Sequence, residues 1–432
     1  MRDAGRPDPW AARFLPQEWE RYRYGPPAHG GAWPVVAVWH ANIKRRTEKG
    51  AHMRFVFASD SLKGTIGSAR AAAILEEEAT RAFPGAACTG LAVADGGEGT
   101  VDAVVASLGG TRVEASVADP LGRSVEAVYG MLPGNRAIVE MAAASGLPLL
   151  THAERDPGLA STYGTGQLVL HALRNGATEV TLAIGGSATN DGGMGAMRAL
   201  GVRFLDAAGG ELAGVGADLA RVASIDLTGL DPLASRARFR LLCDVDNPLL
   251  GPRGAARVFA PQKGAGPQQV EELERGMASY ARVLERALGR GADHPGDGAA
   301  GGLGAAARLF LGATSVPGVD WVLDVVGLDQ ALLGADLCIT GEGHADAQSA
   351  HGKVVSGVAA RCKRAGVPCI ALVGGMDPGA LDLMGMGVDV LVPTVMDCGD
   401  VADALAHAER NYRLAAARAF SLMALGRGLP VA

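Results

Sequence analysis

Arg54-Phe55-Val56-Phe57-Ala58-Ser59, followed by Asp60-Ser61-Leu62-Lys63-Gly64-Thr65 and a run with Ile66, Ala69, Ala72 and Ala73 on one side, decides the fold. A short apolar run predicts a buried strand, and the polar, glycine-containing loop after it opens a helix that ends near Phe83-Pro84-Gly85. The unit repeats: Leu91-Ala92-Val93-Ala94 predicts a second strand, and Asp95-Gly96-Gly97-Glu98-Gly99-Thr100 opens a second helix. Strands alternating with helices predict a parallel sheet.

Outward from this stretch the pattern changes and then returns. Residues 111–141 alternate in short segments split by Pro120-Leu121-Gly122 and Pro133-Gly134-Asn135, which are hairpin signals. Helices and buried strands follow, with Thr181-Leu182-Ala183-Ile184 the clearest strand and 268–290 helical. A Gly/Asp-rich stretch at 291–304 reads as a hinge. Strands at 336–340, 368–373 and 388–392 then restore the alternation. The predicted fold is α/β with two domains. A discontinuous Rossmann-like parallel-sheet domain (53–110 and 293–432) carries an inserted mixed α/β domain (111–292), and the active site lies in the cleft between them.

The 432 residues suit two or three domains, and 48% hydrophobic content allows a sizeable core. With 62 glycines and 5% aromatics, the chain builds tight turns and close backbone approaches. A net charge of −6 without basic clustering excludes a nucleic-acid footprint. No apolar run has the length of a membrane span. The six cysteines form no CxxC pair and predict reduced thiols in a cytoplasmic protein. Residues 1–52 hold four of the five tryptophans and lack the apolar centre of a signal peptide. They read as an extension outside the fold, either a disordered arm or sequence upstream of the true start at Met53.

Four loops concentrate carboxylates, glycines and lysines where strands meet helices. Asp60 and Lys63 stand at the first strand end, where Asp can hold a metal or hydroxyl and Lys a phosphate; a capped helix start is the plain alternative. Asp95, Gly96, Gly97 and Glu98 suit a metal or a substrate hydroxyl at a helix N-terminus. Gly185-Gly186-Ser187-Ala188-Thr189-Asn190-Asp191 offers backbone amides and hydroxyls for an anion, with Asp191 placed to accept a hydroxyl proton. Cys243-Asp244-Val245-Asp246-Asn247 puts Asp244 and Asp246 on one side of an extended segment, a pattern that suits Mg²⁺, or else an Asx-turn before Pro248. Pro261-Gln262-Lys263-Gly264 adds a lysine. No GxxxxGK[ST], zinc pairing or GxSxG elbow occurs. Gly302-Leu303-Gly304-Ala305-Ala306-Ala307 matches the GxGxxA dinucleotide form but lacks a β-branched strand before it.

Taken in order, these loops resemble the glycerate kinase family of bacteria. The resemblance is carried by Asp60–Gly64, Ala94–Thr100, Glu140–Leu147, Ser161–Gln167, Gly185–Gly193, Cys243–Pro248, Phe259–Gly264, Gly298–Gly304 and Ile339–Gly343, and spans roughly residues 53–395. It implies a two-domain enzyme that phosphorylates D-glycerate with ATP and Mg²⁺, giving 2-phosphoglycerate rather than 3-phosphoglycerate, and leaves open whether it acts as a homodimer. On this reading Asp191 is the base, with Asp60 its competitor. Lys63 and Lys353 grip phosphate or the substrate carboxylate, while Asp244 and Asp246 hold the metal. Lys263, Glu342, Asp346 and Gln348 complete the binding set.

One departure stands out. After Gly341-Glu342-Gly343 the family usually carries Arg, and here His344 replaces it, which exchanges a permanent cation for one that titrates near neutrality. Weaker anion binding and activity falling with rising pH are expected from it. Val354-Val355 likewise stands where Ala-Pro is common. The competing readings are an NAD(P)-dependent hydroxy-acid dehydrogenase using the Gly302 fingerprint, and a non-catalytic hydroxy-acid-binding homologue.

Overall fold

The computed structural model describes residues 52–62, 64–350, 352–395 and 400–426. The N-terminal extension up to residue 51 and Lys63 lie outside them, and so does the side chain of Gln348. The strands are, in order, β1 (Arg54–Ser59), β2 (Ala87–Gly90), β3 (Thr111–Ala118), β4 (Ser124–Leu132), β5 (Arg136–Glu140) and β6 (Glu179–Ala183). They continue as β7 (Arg203–Leu205), β8 (Ser224–Asp226), β9 (Arg238–Leu242), β10 (Thr314–Val316), β11 (Leu337–Ala345), β12 (Cys369–Met376) and β13 (Val390–Pro393).

Strands β2, β1, β11, β12 and β13 lie side by side in that order, and every neighbouring pair is parallel. Counted within the sheet this is 2-1-3-4-5, a doubly wound order whose switch point falls between β1 and β11. The second sheet runs β10-β9-β6-β5-β4-β3. It is parallel from β10 to β5 and antiparallel from β5 to β3, as the two hairpin signals predict. The α/β class with a parallel and a mixed sheet therefore matches the sequence reading.

Three details differ from that reading. The second strand is Ala87–Gly90, not Leu91–Ala94, because register with Arg54–Phe57 is used up at Gly90. Leu91 adds one further bond to Phe57 O at 2.8 Å, and Val93 N then turns to the Ser68 hydroxyl. The inserted sheet also extends past residue 292, since β10 at 314–316 pairs with β9. Finally, the expected hinge holds the buried turn Ala299–Gly302, with Ala300 at φ 51°. A Cβ on Gly301 would lie 2.1 Å from Thr189 O, so glycine serves close backbone approach there.

Alternation along the strands sorts the cores. Phe55, Phe57, Leu337, Ile339, Ile370 and Leu372 face the helices Ser68–Ala82 and Ala408–Gly426. Their opposite numbers Val56, Ala58, Cys338, Ala371 and Val373 join a cluster that also contains Ile138, Ala183 and Leu242 of the second sheet. Between the sheets that cluster holds Val101 and Val104 of helix Thr100–Leu108, and Val319 and Val322 of helix Gly318–Val325. These two helices are where the chain leaves the first sheet and returns to it. The sheets thus share one apolar layer. Among the described residues no helix is long and apolar enough to cross a membrane.

Gly130 marks how tightly this layer is packed: a Cβ there would meet Val105 Cγ2 at 2.5 Å and Ile138 Cγ2 at 2.8 Å. Gly130→Ala is expected to destabilise the protein by about 1–3 kcal/mol through overpacking. Urea denaturation should show a lower midpoint with an unchanged slope.

Candidate active site

In a doubly wound sheet, ligands bind beyond the carboxyl ends of the strands at the switch point. A cavity of about 540 Å³ lies there. Asp60, Ser61 and Leu62 follow β1; Glu342, Gly343 and His344 form the end of β11; Gly374 and Gly375 end β12; and Thr394 and Val395 follow β13. Asp95 and Lys353 close the polar side. The other end is apolar, made by Val395, Val401, Leu405 and Ala408, of which Val395, Val401 and Leu405 are exposed. Val401 and Leu405 come from a short helix, Val401–Ala406, that the sequence reading assigned no role. The available signal was Gly374-Gly375 directly after an apolar strand run.

Asp60 and Glu342 are both buried. Lys353 Nζ lies 3.3 Å from Glu342 Oε2 and 3.6 Å from Asp346 Oδ1, and donates to Ser349 Oγ at 3.1 Å. Burial pushes the Glu342 carboxyl up, and Ser349 and Lys353 oppose the shift. Among the described residues Glu342 Oε1 and Ser61 Oγ have no hydrogen-bond partner. Buried polar atoms on a cavity wall are ordinarily paired, so these two are suited to a ligand. His344 also lines the cavity, with Nε2 3.5 Å from Asp377 Oδ2. The imidazole that stands where the family carries Arg thus already faces a carboxylate.

Beyond Asp95 the cavity adjoins a floor of glycines. A Cβ on Gly185 would lie 3.0 Å from Gly97 Cα, and one on Gly96 would lie 3.6 Å from Gly318 Cα. Gly352 reaches Asp244 in the same way, at 3.3 Å from its Cβ. The loops at 95–97, 185–186, 244, 318 and 352 therefore converge, and only residues without side chains allow it. Gly185 and Gly186 remain exposed on this floor, whereas Gly96 and Gly97 are buried beneath it. Glu98 points outward and is exposed.

Behind the floor lies a buried polar network. Lys263 Nζ donates to Ser187 Oγ at 2.7 Å and to Thr189 O at 2.6 Å. Burial pushes its ammonium down to about 7, against the pull of Asp191. Asp191 is fully buried, and Oδ2 accepts from Thr162 N, Thr162 Oγ1 and Gly195 N, while Oδ1 accepts from Gly193 N. Burial still raises its carboxyl. Thr189 Oγ1 and both amide atoms of Asn190 are buried without partners among the described residues. Lys263, Ser187, Thr189, Asn190 and Asp191 are thus packed behind the glycine loop and do not line the cavity.

Two assignments change as a result. Asp191, taken as the base, has four donors on its carboxylate and no exposed surface, so it is built to hold the loop. Asp246, expected beside Asp244 as a metal ligand, is exposed and paired with Arg253 at 2.5 Å. Asp244 Oδ1 instead accepts from Gly318 N at 2.8 Å, capping helix Gly318–Val325. Strand β9 ends at Leu242, before either carboxylate, so the strand alternation that would put both on one side does not reach them. Among the described residues no three acidic, histidine or cysteine side chains converge to hold a metal alone. The Gly302–Ala307 fingerprint follows a turn instead of a strand, and its glycines are buried against Gly192 and Gly296. It therefore lacks the strand–turn–helix setting that dinucleotide binding requires.

Glu140, at the end of β5, is a further residue drawn to this region. Its Oε1 accepts from Val101 N at 2.6 Å. Desolvation pushes its carboxyl up to about 7, with Asp102 and Glu98 adding like charge.

Asp191→Asn must set an amide N–H against Gly193 N or lose three bonds at the other oxygen. It is expected to cost about 1–3 kcal/mol, read as a lower urea midpoint. The raised pKa of Glu140 gives a second expectation. Stability tied to its protonated form is present below about 4.5, its ordinary value, and is lost as pH rises through about 7. Glu140→Gln should flatten the fall in melting temperature between those pH values relative to the native chain.

Comparison with known proteins agrees with the geometry. Residues 55–424 match the glycerate kinase family. A glycerate 2-kinase of Escherichia coli K12 is 40% identical over 376 residues, 87% of this chain and 99% of that one. A glycerate kinase of Bacillus subtilis 168 is 42% identical over 358 residues, 82% of this chain and 94% of its own. A solved structure of a candidate glycerate kinase 2 from Salmonella typhimurium LT2 superimposes with a TM-score of 0.76 at 41% identity, covering 88% of this chain and all of that one. With its loops in the family's order and its sheets in a relative's arrangement, this chain belongs to the glycerate kinase family.

Proposed function

We propose that the protein transfers the terminal phosphoryl group of ATP to D-glycerate, forming 2-phosphoglycerate. The observation that carries this reading is the two-ended cavity at the switch point. Its apolar end suits a nucleobase, and its charged end suits phosphates and a small hydroxy acid. A volume of about 540 Å³ falls in the range of small-molecule sites, roughly 300–1,000 Å³. The 2-phospho product is supported by the E. coli relative, a glycerate 2-kinase matched over 99% of its length.

The polar end meets what phosphoryl transfer needs, namely charge neutralisation, alignment and a proton acceptor. Lys353 precedes helix Val354–Ala365, whose N-terminus favours an anion, so the two together grip the phosphates. Mg²⁺ commonly binds through one or two carboxylates plus phosphate oxygens. Asp95 and Glu342 would hold it in that shared manner, and the unpartnered Glu342 Oε1 fits such a donor set. The ion would offset phosphate charge. The exposed Gly185-Gly186 floor next to Asp95 leaves room for glycerate with its hydroxyl toward the cavity. Asp60 then accepts the hydroxyl proton as the glycerate oxygen bonds to phosphorus and ADP leaves.

Asp60→Asn should lower kcat by about 10²–10⁴-fold while leaving the fold intact. A coupled assay of ADP release with Mg-ATP and D-glycerate checks this, and phosphorus NMR of the product identifies the phosphorylated oxygen. No turnover by the native chain with these substrates would sink the kinase reading.

A further inference from the structure

Helix Thr100–Leu108 begins at Gly99, which sits at φ 90° and supplies no side-chain cap. Thr100 N donates to Gly97 O at 3.3 Å, but Val101 N finds its acceptor outside the segment. The preceding loop is closed on itself: Gly97 N donates to Asp95 Oδ1 at 3.1 Å, and Thr100 Oγ1 donates to Gly97 O at 2.7 Å. Glu140 ties the start of the helix that follows this loop to the second sheet. Its carboxylate comes from β5, a strand that pairs with β6 at the Glu140–Ala183 register. It receives Val101 N at 2.6 Å, at the helix end where a negative charge is favoured. The charged groups facing it are Glu98 on the loop and Asp102 on the helix, and Asp102 is itself paired with Arg112.

We propose that Glu140 is a positioning residue of the phosphoryl-transfer site: from the second sheet it pins the Asp95–Gly99 loop and so fixes Asp95 at the cavity wall. The proposal rests on the kinase reading for its kinetic consequence, and on the described hydrogen bonds alone for the tie. Glu140 does not line the cavity and touches no substrate. Its effect is on alignment, where a displacement of about 1 Å can cost on the order of 100-fold in rate.

The test compares full-length native protein, Glu140→Gln and Glu140→Ala. Steady-state kinetics with Mg-ATP and D-glycerate, normalised to folded protein by circular dichroism, should show kcat lowered about 10- to 100-fold in Glu140→Ala, with KM for ATP within about threefold. Glu140→Gln keeps a carbonyl acceptor and should restore kcat to within about fivefold of native. Hydrogen exchange should show faster exchange at Val101 in Glu140→Ala but not in Glu140→Gln. Equal kcat per folded molecule in all three proteins, or unchanged exchange at Val101 in Glu140→Ala, overturns the proposal. Absence of turnover by the native protein overturns the kinase reading instead, and the exchange data then decide the tie by themselves.

Discussion

Two short helices carry the chain between its sheets, and neither has a side-chain cap from its own segment. Helix Thr100–Leu108 starts at Gly99 and helix Gly318–Val325 at Pro317. Each is capped by a carboxylate from the end of a strand in the second sheet, Glu140 after β5 and Asp244 after β9. A helix terminus leaves amides that must find acceptors, and here the acceptors lie across the domain junction. The sheets are therefore joined twice over, through a common apolar layer and through two charge-assisted caps at its rim. That rim is where the cavity opens.

The shared layer explains why the glycines cluster as they do. With both crossing helices pressed between the sheets, the loops that begin them are brought against the strand ends of the other sheet. Gly96, Gly185 and Gly318 stand at these approaches, where a Cβ would lie about 3.0–3.6 Å from a neighbouring backbone atom. Glycine density here is chiefly a packing requirement between backbones. Among the described residues of this floor, Gly185, Gly186 and Gly352 are left exposed. A reading that treats each glycine run as a phosphate cradle assigns to ligands what mostly belongs to the junction.

This distinction also separates what the residues disclosed from what they withheld. Strand periodicity placed β1, β4, β6, β11 and β12, and the two Pro-Gly turns placed the antiparallel edge. Periodicity says nothing about which strands neighbour one another, so the membership of β10 and the true end of the inserted sheet were invisible. Asp60, Asp95 and Glu342 line the cavity and each follows or ends an apolar run, where a doubly wound sheet gathers ligands, while Lys353 lines it from the start of helix Val354–Ala365. Asp191 misled for a related reason. It too follows a strand run, but the next turn folds Gly193 N and Gly195 N back onto its carboxylate and buries it. No local pattern distinguishes a carboxylate that faces a cleft from one that closes a turn.

The same logic bears on His344. An imidazole in place of a guanidinium alters the site only insofar as a cation is needed there, and a carboxylate lies beside it. Asp377 lies 3.5 Å away, so any positive charge on His344 is shared with that carboxylate before a ligand arrives. Lys353 is flanked by Glu342 and Asp346 and is similarly engaged. The cavity wall thus carries at least as many carboxylates as cations. A polyanion entering it meets net repulsion unless it brings a divalent cation of its own. Under the proposed kinase reading, such an arrangement would favour a metal-chelated nucleotide over a free one, with Asp95 and Glu342 as ligands where they would otherwise repel. The charge that holds the phosphates would then arrive with the substrate, and a permanent cation at position 344 would not be required.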